Sequence, residues 1–401
     1  MLANSMPYAH PSPTYALATV SQDWQARPRR RWLGLGLGAL LSLLAPQQAE
    51  ANPGVSGTRN LSMGNATRGS STGTDAALIN PAGIAYSQQF EIEPIYQFNM
   101  QTRTHGFGVF VSDSLNSPRI ALALGYMFTR GSPRVLYNGA DDMGVATGDR
   151  DTLEMVNFGH EVAGTITVVA VKNWLYFGLT PSWQYLSLRY LGNEGDNDGV
   201  ALDYRPKHNV FGLDAALALN IFDYAKLAVV GYNLVAPNPP ARTDEAVDSI
   251  DGIASADPPN FNLGNLPRLS DYPRSLGHGL AVFPLGRPDF SINVDATYDF
   301  TSYWDDGDDD KWTRITVNGG AEFIAGPVPI RVGGWWDSRD RGGGDDRGYV
   351  TGGLGFIKPA ALGGVGVDVG VGFAQQVAGS PRAQLDTILS FNVGLRLRPD
   401  L

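Results

Sequence analysis

Long stretches of this chain alternate between an apolar residue and a small or polar one. Residues 365–373 read VGVDVGVGF, with Val or Phe at every odd position and Gly or Asp at every even one. Residues 389–398 read LSFNVGLRLR, which puts Leu389, Phe391, Val393, Leu395 and Leu397 on one face and Ser390, Asn392, Arg396 and Arg398 on the other. A period of two places alternate side chains on opposite faces of an extended strand. Residues 290–300 repeat the pattern, with Ser291, Asn293, Asp295, Thr297 and Asp299 together, and residues 315–323 repeat it with Asn318 and Glu322 on the polar side. Residues 120–128 and 211–221 alternate as well, with smaller residues on the inner face.

A soluble sandwich also alternates, but its apolar faces meet each other and its charged faces meet water. Here the polar faces are rich in Gly, Ser and Asn rather than Lys and Glu, as a barrel lumen would be. The repeats run about 9–13 residues, a length suited to tilted membrane strands. Aromatic residues gather near strand ends, with Trp174, Tyr224 and Phe283 at one set of turns and Tyr190, Tyr232, Trp304, Trp312, Trp335 and Trp336 at the other. Such girdles mark bilayer interfaces.

The connections argue most strongly. Fourteen strands are predicted, near 90–100, 105–113, 119–129, 155–171, 174–190, 207–222, 226–236, 273–283, 289–300, 312–324, 328–337, 348–358, 364–375 and 384–398. One series of connections (114–118, 172–173, 223–225, 284–288, 325–327 and 359–363) is tight and holds Pro, Gly, Asn or Asp. The other (130–154, 191–206, 237–272, 301–311, 338–347 and 376–383) is mostly long and acidic, and only 101–104 breaks it. Short periplasmic turns, long external loops and an even strand count belong to outer-membrane barrels. The expected fold is all-β: a transmembrane antiparallel β-barrel of about 14 strands over residues 90–401, multi-pass in a Gram-negative outer membrane.

Composition excludes several alternatives. Hydrophobic residues make up 43% and mean hydropathy is −0.14, too polar for a bundle of membrane helices. A net charge of −10 argues against nucleic acid as a partner. The absence of Cys removes disulfides, thiolate metal sites and Cys nucleophiles together. At the amino terminus, Arg27, Arg29, Arg30 and Arg31 precede the apolar run 32–45 and then Ala49-Glu50-Ala51. That order reads as a secretory signal peptide with an extended leading region, so residues 1–51 are expected to be removed.

Residues 52–89 form a separate unit, expected to sit in the barrel as a small plug. Its Gly-, Ser- and Asn-rich sequence has no apolar face large enough to fold alone. Asn80-Pro81-Ala82-Gly83 lies just before the first strand. Asn80 is expected to cap a turn, Pro81 to preset φ and Gly83 to permit a left-handed bend, with Thr74 capping a helical turn over 75–79. The stretch resembles the hatch segment of the FadL/TodX outer-membrane transporters, which carry an Asn-Pro-Ala motif before a fourteen-stranded barrel. Gly57, Arg59, Met63, Gly64 and Ala66 match a pattern shared with PorV-like barrels. The sequence departs from the usual Ala/Val-rich plug at residues 68–73, RGSSTG, and ends in Pro-Asp-Leu rather than an aromatic residue. The resemblance implies passive uptake of hydrophobic compounds such as long-chain fatty acids or aromatic hydrocarbons, with exit sideways through the wall. It also implies outer-membrane lipids and the barrel-assembly machinery as partners. A PorV-like barrel that anchors or shuttles secreted proteins is the alternative, as is a structural or adhesive barrel.

No motif points to catalysis or to a cofactor: there is no GxSxG, Walker loop or HExxH, and His10, His105, His160, His208 and His278 lack metal-ligand spacing. The chain is therefore read as a non-enzyme. The acidic loops offer oxygen clusters of the kind calcium takes, with Asp196, Asp198, Asp305 and Asp308 as candidates beside a plainly solvated reading. Asp295, Asp299, Glu322, Arg331, Asp368 and Arg396 are expected to face the lumen, as paired scaffolding or as a pathway.

Overall fold

The computed structural model describes residues 55–100, 103–131, 134–140, 146–192, 202–204, 207–235, 274–299, 303–305, 308–312, 314–338, 346–359, 364–379 and 386–398. Residues 1–51, expected to be removed, and the expected loop 237–272 lie outside them. Fourteen strands form the wall: β1 Phe90–Asn99, β2 Thr104–Asp113, β3 Ile120–Gly131, β4 Ala146–Val171, β5 Leu175–Gly192, β6 Lys207–Ile221 and β7 Ala225–Tyr232. The rest are β8 Ser275–Val282, β9 Phe290–Asp299, β10 Ile315–Ala325, β11 Val328–Asp337, β12 Arg347–Lys358, β13 Gly364–Ala378 and β14 Thr387–Arg398. Each pairs antiparallel with its sequence neighbours. β14 returns to β1 with Ile92 opposite Leu395 and Tyr96 opposite Phe391, so the sheet closes into a ring with no edge.

The polarity of the ring is inverted relative to a soluble protein. Val294, Val332 and Leu124 are 54%, 57% and 60% exposed on the outside, while Asn293, Asp295 and Ser390 on the inside are at most 1% exposed. An outer surface this apolar is stable only against lipid. Among the described residues no helix is long and apolar enough to cross a membrane; the strands do so.

The strands match the expected ones to within a few residues across the bilayer and differ outside it. β4 begins at Ala146, and Arg134–Ala140 pairs with its outer end. Leu202–Tyr204 pairs with the outer end of β5, and Tyr303–Asp305 forms a separate two-stranded ribbon with Asp308–Trp312. Beyond the membrane neither strand face meets lipid, so the hydrophobic alternation stops while the hydrogen-bond ladder continues. The girdles also differ in detail. Trp174, Tyr224 and Trp336 face outward, but Phe283, Tyr232 and Trp335 turn inward, sharing parity with Ala281, Val230 and Arg331. Closeness to a strand end fixes a residue's height, whereas parity fixes its face. Tyr96, Phe107, Tyr126, Trp183 and Phe211 supply outward aromatics instead, and the side chains of Tyr190, Trp304 and Trp312 lie outside the described set.

One part of the outer wall is shallowly indented. An apolar groove of about 460 Å³ lies over Leu122, Leu124, Gly164, Ile166 and Pro181. Between β4 and β5 the paired register passes from Ala163–Ser182 to Ile166–Leu179, skipping the step that holds Pro181, which has no N–H to give. On the lumen side the Thr165 and Thr180 hydroxyls, 2.9 Å apart, bridge that step.

Candidate functional site

Residues 55–89 carry helix α1 (Thr58–Ser62), helix α2 (Gly73–Ile79) and a 3-10 turn at Pro81–Tyr86. Their hydrogen bonds reach strands all round the ring. Thr58 Oγ1 lies 2.9 Å from Ser390 Oγ on β14, and Thr351 Oγ1 on β12 donates to Ser62 O at 3.0 Å. Asn318 Nδ2 on β10 donates to Asn65 O at 3.3 Å, and Asp295 on β9 accepts from Arg68 N at 2.8 Å. The Tyr232 hydroxyl on β7 donates to Ile79 O at 2.6 Å, Thr167 on β4 donates to Pro81 O, and Thr74 donates to Glu93 on β1. A single short segment bonded to every side of a closed ring lies inside it.

α1 sits on a seat of inward-facing glycines from four successive strands. A Cβ at Gly320 or Gly333 would overlap the Met63 main chain, and one at Gly353 or Gly372 would overlap the Ser62 side chain. Gly64 has φ +65 and touches the backbone of Gly319 and Gly334, so both its conformation and its close approach require the missing side chain. This accounts for a glycine in the Met63-Gly64 step that carried the resemblance.

The Asn-Pro-Ala-Gly motif is wholly buried. Asn80 Oδ1 accepts from Ala82 N at 3.1 Å, capping the 3-10 turn, while Asn80 Nδ2 donates to Arg68 O at 2.7 Å. Pro81 stands at the start of that turn. Two expectations are corrected. Gly83 does not adopt a left-handed conformation; it lies within the 3-10 turn, where a Cβ would press on Ser71 O at 2.6 Å. Thr74 does not cap α2, whose N-cap is Thr72 without a side-chain bond; its hydroxyl is taken by Glu93 instead. The motif packs where the wall is lined with small residues: Ala82 joins Tyr176, Ala216, Ala218, Ala228 and Val230 in one apolar cluster.

The opposite half of the lumen is ionic. All six lumen candidates face inward, and the structure divides them into groups. Glu322 accepts from Arg331 Nε at 2.7 Å and from Arg59 Nη2 at 2.8 Å. Arg396 bridges Glu91 and Asp368, each at 2.6 Å. Asp295 stands apart with Arg68, 3.4 Å away, and Arg68 Nε donates to the Tyr232 hydroxyl at 2.8 Å. Asp299 is fully buried at the external end of β9. The plug residues Arg59, Arg68 and Asp75 and the wall residues Glu91 and Glu93 also belong to these groups; from the sequence Arg59 and Arg68 read only as parts of the plug pattern, and none of the five as a lumen candidate. Glu91 and Glu93 carried a usable signal, since FEIEPIYQ alternates acids with lipid-facing residues.

Around Arg59 there are five carboxylates (Asp75, Glu91, Glu93, Glu322, Asp368) and three guanidiniums (Arg59, Arg331, Arg396). The acid surplus bears on Asp75, which is 3.9 Å from Arg59. Burial pushes the Asp75 carboxyl up to about 6 against the pull of Arg59 and Arg331, with Glu91 and Asp368 adding to the rise. Burial alone would lower Arg59, but Glu322 and Asp75 carry it above its ordinary range. The space left among these side chains is about 10 Å³, room for one water.

Asp196 and Asp198 lie outside the described residues. Asp305 and Asp308 oppose each other in the external ribbon, and among the described residues no three His, Cys, Asp or Glu side chains converge as a metal would need.

A closed ring of fourteen strands, apolar outside, polar inside and filled by its own amino-terminal segment, defines an outer-membrane-type barrel with an occupied lumen. Among solved structures the chain has the fold of the FadL/TodX channels. It superposes on a Pseudomonas aeruginosa FadL homologue with a TM-score of 0.53 at 13% identity, covering 88% of this chain and 99% of that one. It superposes on the P. putida toluene transporter TodX with a TM-score of 0.50 at 12% identity, covering 85% and 97%. No protein-family model and no curated protein matches the sequence.

Proposed function

We propose that this barrel is an outer-membrane channel for passive uptake of hydrophobic small molecules, aromatic hydrocarbons or long-chain fatty acids, with residues 52–89 as a displaceable hatch. The observation that carries the reading is the division of the lumen. A filled barrel offers no general diffusion route. Its ionic half anchors the plug, whereas Ala82 of the Asn80–Gly83 motif rests on an apolar patch of Tyr176, Ala216, Ala218, Ala228 and Val230, with the Thr165, Thr167 and Thr180 hydroxyls beside it, a face suited to an apolar molecule more than to an ion. The shared fold with a toluene transporter supports the same class of cargo. The outer-wall groove at Gly164 and Pro181 supports a sideways exit into lipid. By this reading outer-membrane lipids cover the apolar wall and the barrel-assembly machinery inserts it.

The test is mass spectrometry of organic extracts from the purified, detergent-washed full chain and from a variant lacking residues 52–86. Hydrocarbons or fatty acids held at about one per barrel by the full chain and lost with the plug are the expected result. A clean lumen in both would overturn it. The nearly sealed ionic half of the lumen favours the second reading, a barrel that anchors or shuttles secreted proteins, and co-purification of such a protein would then be sought.

A further inference from the structure

Two inward acids, Asp214 and Glu161, have no arginine among the described residues, and Asp214 is met by the Asn233 N–H at 2.8 Å. Glu91, Glu322, Asp295 and Asp368 each meet an arginine, and Glu93 is held by Thr74 and Asn392. Glu161 on β4 has no ion pair among the described residues, and its Oε2 is buried with no hydrogen-bond partner. Directly opposite on β5 is Gln184, whose side chain hydrogen-bonds Glu161 while its own Oε1 is buried and unpartnered. Buried polar atoms in folded proteins are nearly always bonded, so two adjacent unmet acceptors call for a donor.

The register supplies the surroundings. Met127, Glu161, Gln184 and Val210 lie in one row across β3, β4, β5 and β6, all facing inward and at most 8% exposed. Met127 packs in turn with Ile95 and Phe110. The row is thus two acceptors flanked on both sides by apolar side chains. It lies six residues along β4 from Thr167, the strand's anchor on the plug, so about 20 Å nearer the external end along the strand.

We propose that Glu161 and Gln184 form a head-group site in the lumen for a small, otherwise apolar ligand that carries a hydrogen-bond donor: an alcohol or phenol rather than a carboxylate or a bare hydrocarbon. The inference rests on the uptake reading above and narrows its substrate class. A hydroxyl satisfies the unmet acceptors while the apolar body lies against Met127 or Val210. A hydrocarbon leaves both acceptors unmet. A carboxylate brings a third set of acceptors and no donor. A site built to bond a hydroxyl discriminates strongly against the analogue that lacks it.

The experiment is titration calorimetry of the full-length barrel in detergent with toluene, p-cresol and p-toluate, a series differing only in the head group. Binding of p-cresol about tenfold tighter than toluene, with p-toluate weakest, is expected, a factor equivalent to one hydrogen bond. In Gln184→Met and Glu161→Met, each close in volume to the original, that preference should vanish while toluene still binds. Two variants guard against misfolding in one, which heat-shifted gel mobility detects. Equal binding of toluene and p-cresol by the native chain, or a preference surviving in both variants, overturns the site while leaving the uptake reading in place. No binding of any of the three overturns both.

Discussion

At the scale of single residues, the plug is held by buried charges shared with the wall. Glu322 lies between Arg59 and Arg331, with its side chain 5% exposed. Glu322→Gln would take from the buried Arg331 its ion-pair partner and leave Arg59 with Asp75 alone at 3.9 Å, and should cost about 3 kcal/mol, read as a lower urea midpoint. Asp75 gives a prediction with a pH sign. Its native carboxyl is raised to about 6 by burial, so the folded chain holds this proton more tightly than the unfolded one. Its contribution to stability is therefore complete below about pH 4, falls as pH rises through 6 and is constant beyond. Relative to Asp75→Asn, the native chain should lose roughly 3 kcal/mol across that window, measured as the difference in thermal unfolding at pH 4, 5 and 7. The inward direction of Glu322 and Arg331 was legible because parity in an alternating strand assigns a face. The pairing of Glu322 with Arg59 was not legible. Arg59 lies 263 residues from Glu322, and only closure of the ring brings the two together.

At the scale of elements, the glycine seat governs whether α1 can dock. Gly353→Leu directs a branched side chain into Ser62, and the wall there is another strand that cannot recede. The expected result is a barrel that still forms but whose residues 55–89 are cut by protease under conditions where the native chain resists. Uncut plug would show that the seat tolerates bulk. The sequence displayed these glycines as the small face of alternating strands, which suits any lumen. That they form a seat for one helix depends on where Met63 and Gly64 arrive, a tertiary fact. The same limit explains Thr74 and Gly83. Each had a sound local role, capping and bending, and each was diverted by a neighbour, Glu93 and Ser71, from elsewhere in the chain. Local rules rank the options of a turn, but packing inside a crowded lumen selects among them.

For the whole molecule, the strand count and the alternation of short and long connections came through from sequence because lipid imposes them directly. A strand crossing the bilayer must show one apolar face, and an even number must return both ends to the same side. Leu124→Arg, in mid-strand on the lipid face, should therefore cost about 2–4 kcal/mol in bilayers, whereas the same change would be tolerated on a soluble surface; urea unfolding from liposomes measures it. The closing pair of β1 with β14 has a consequence of another kind. Residues 90–99 wait for residues 387–398 as their partner. Until the final segment arrives, two raw edges face a medium that offers no hydrogen bonds. A chain cut short by a dozen residues is thus not a slightly weaker copy but an unfinished one. Closure of the ring is a single yes-or-no event that residues 387–398 decide, because β1 finds its partner there or nowhere.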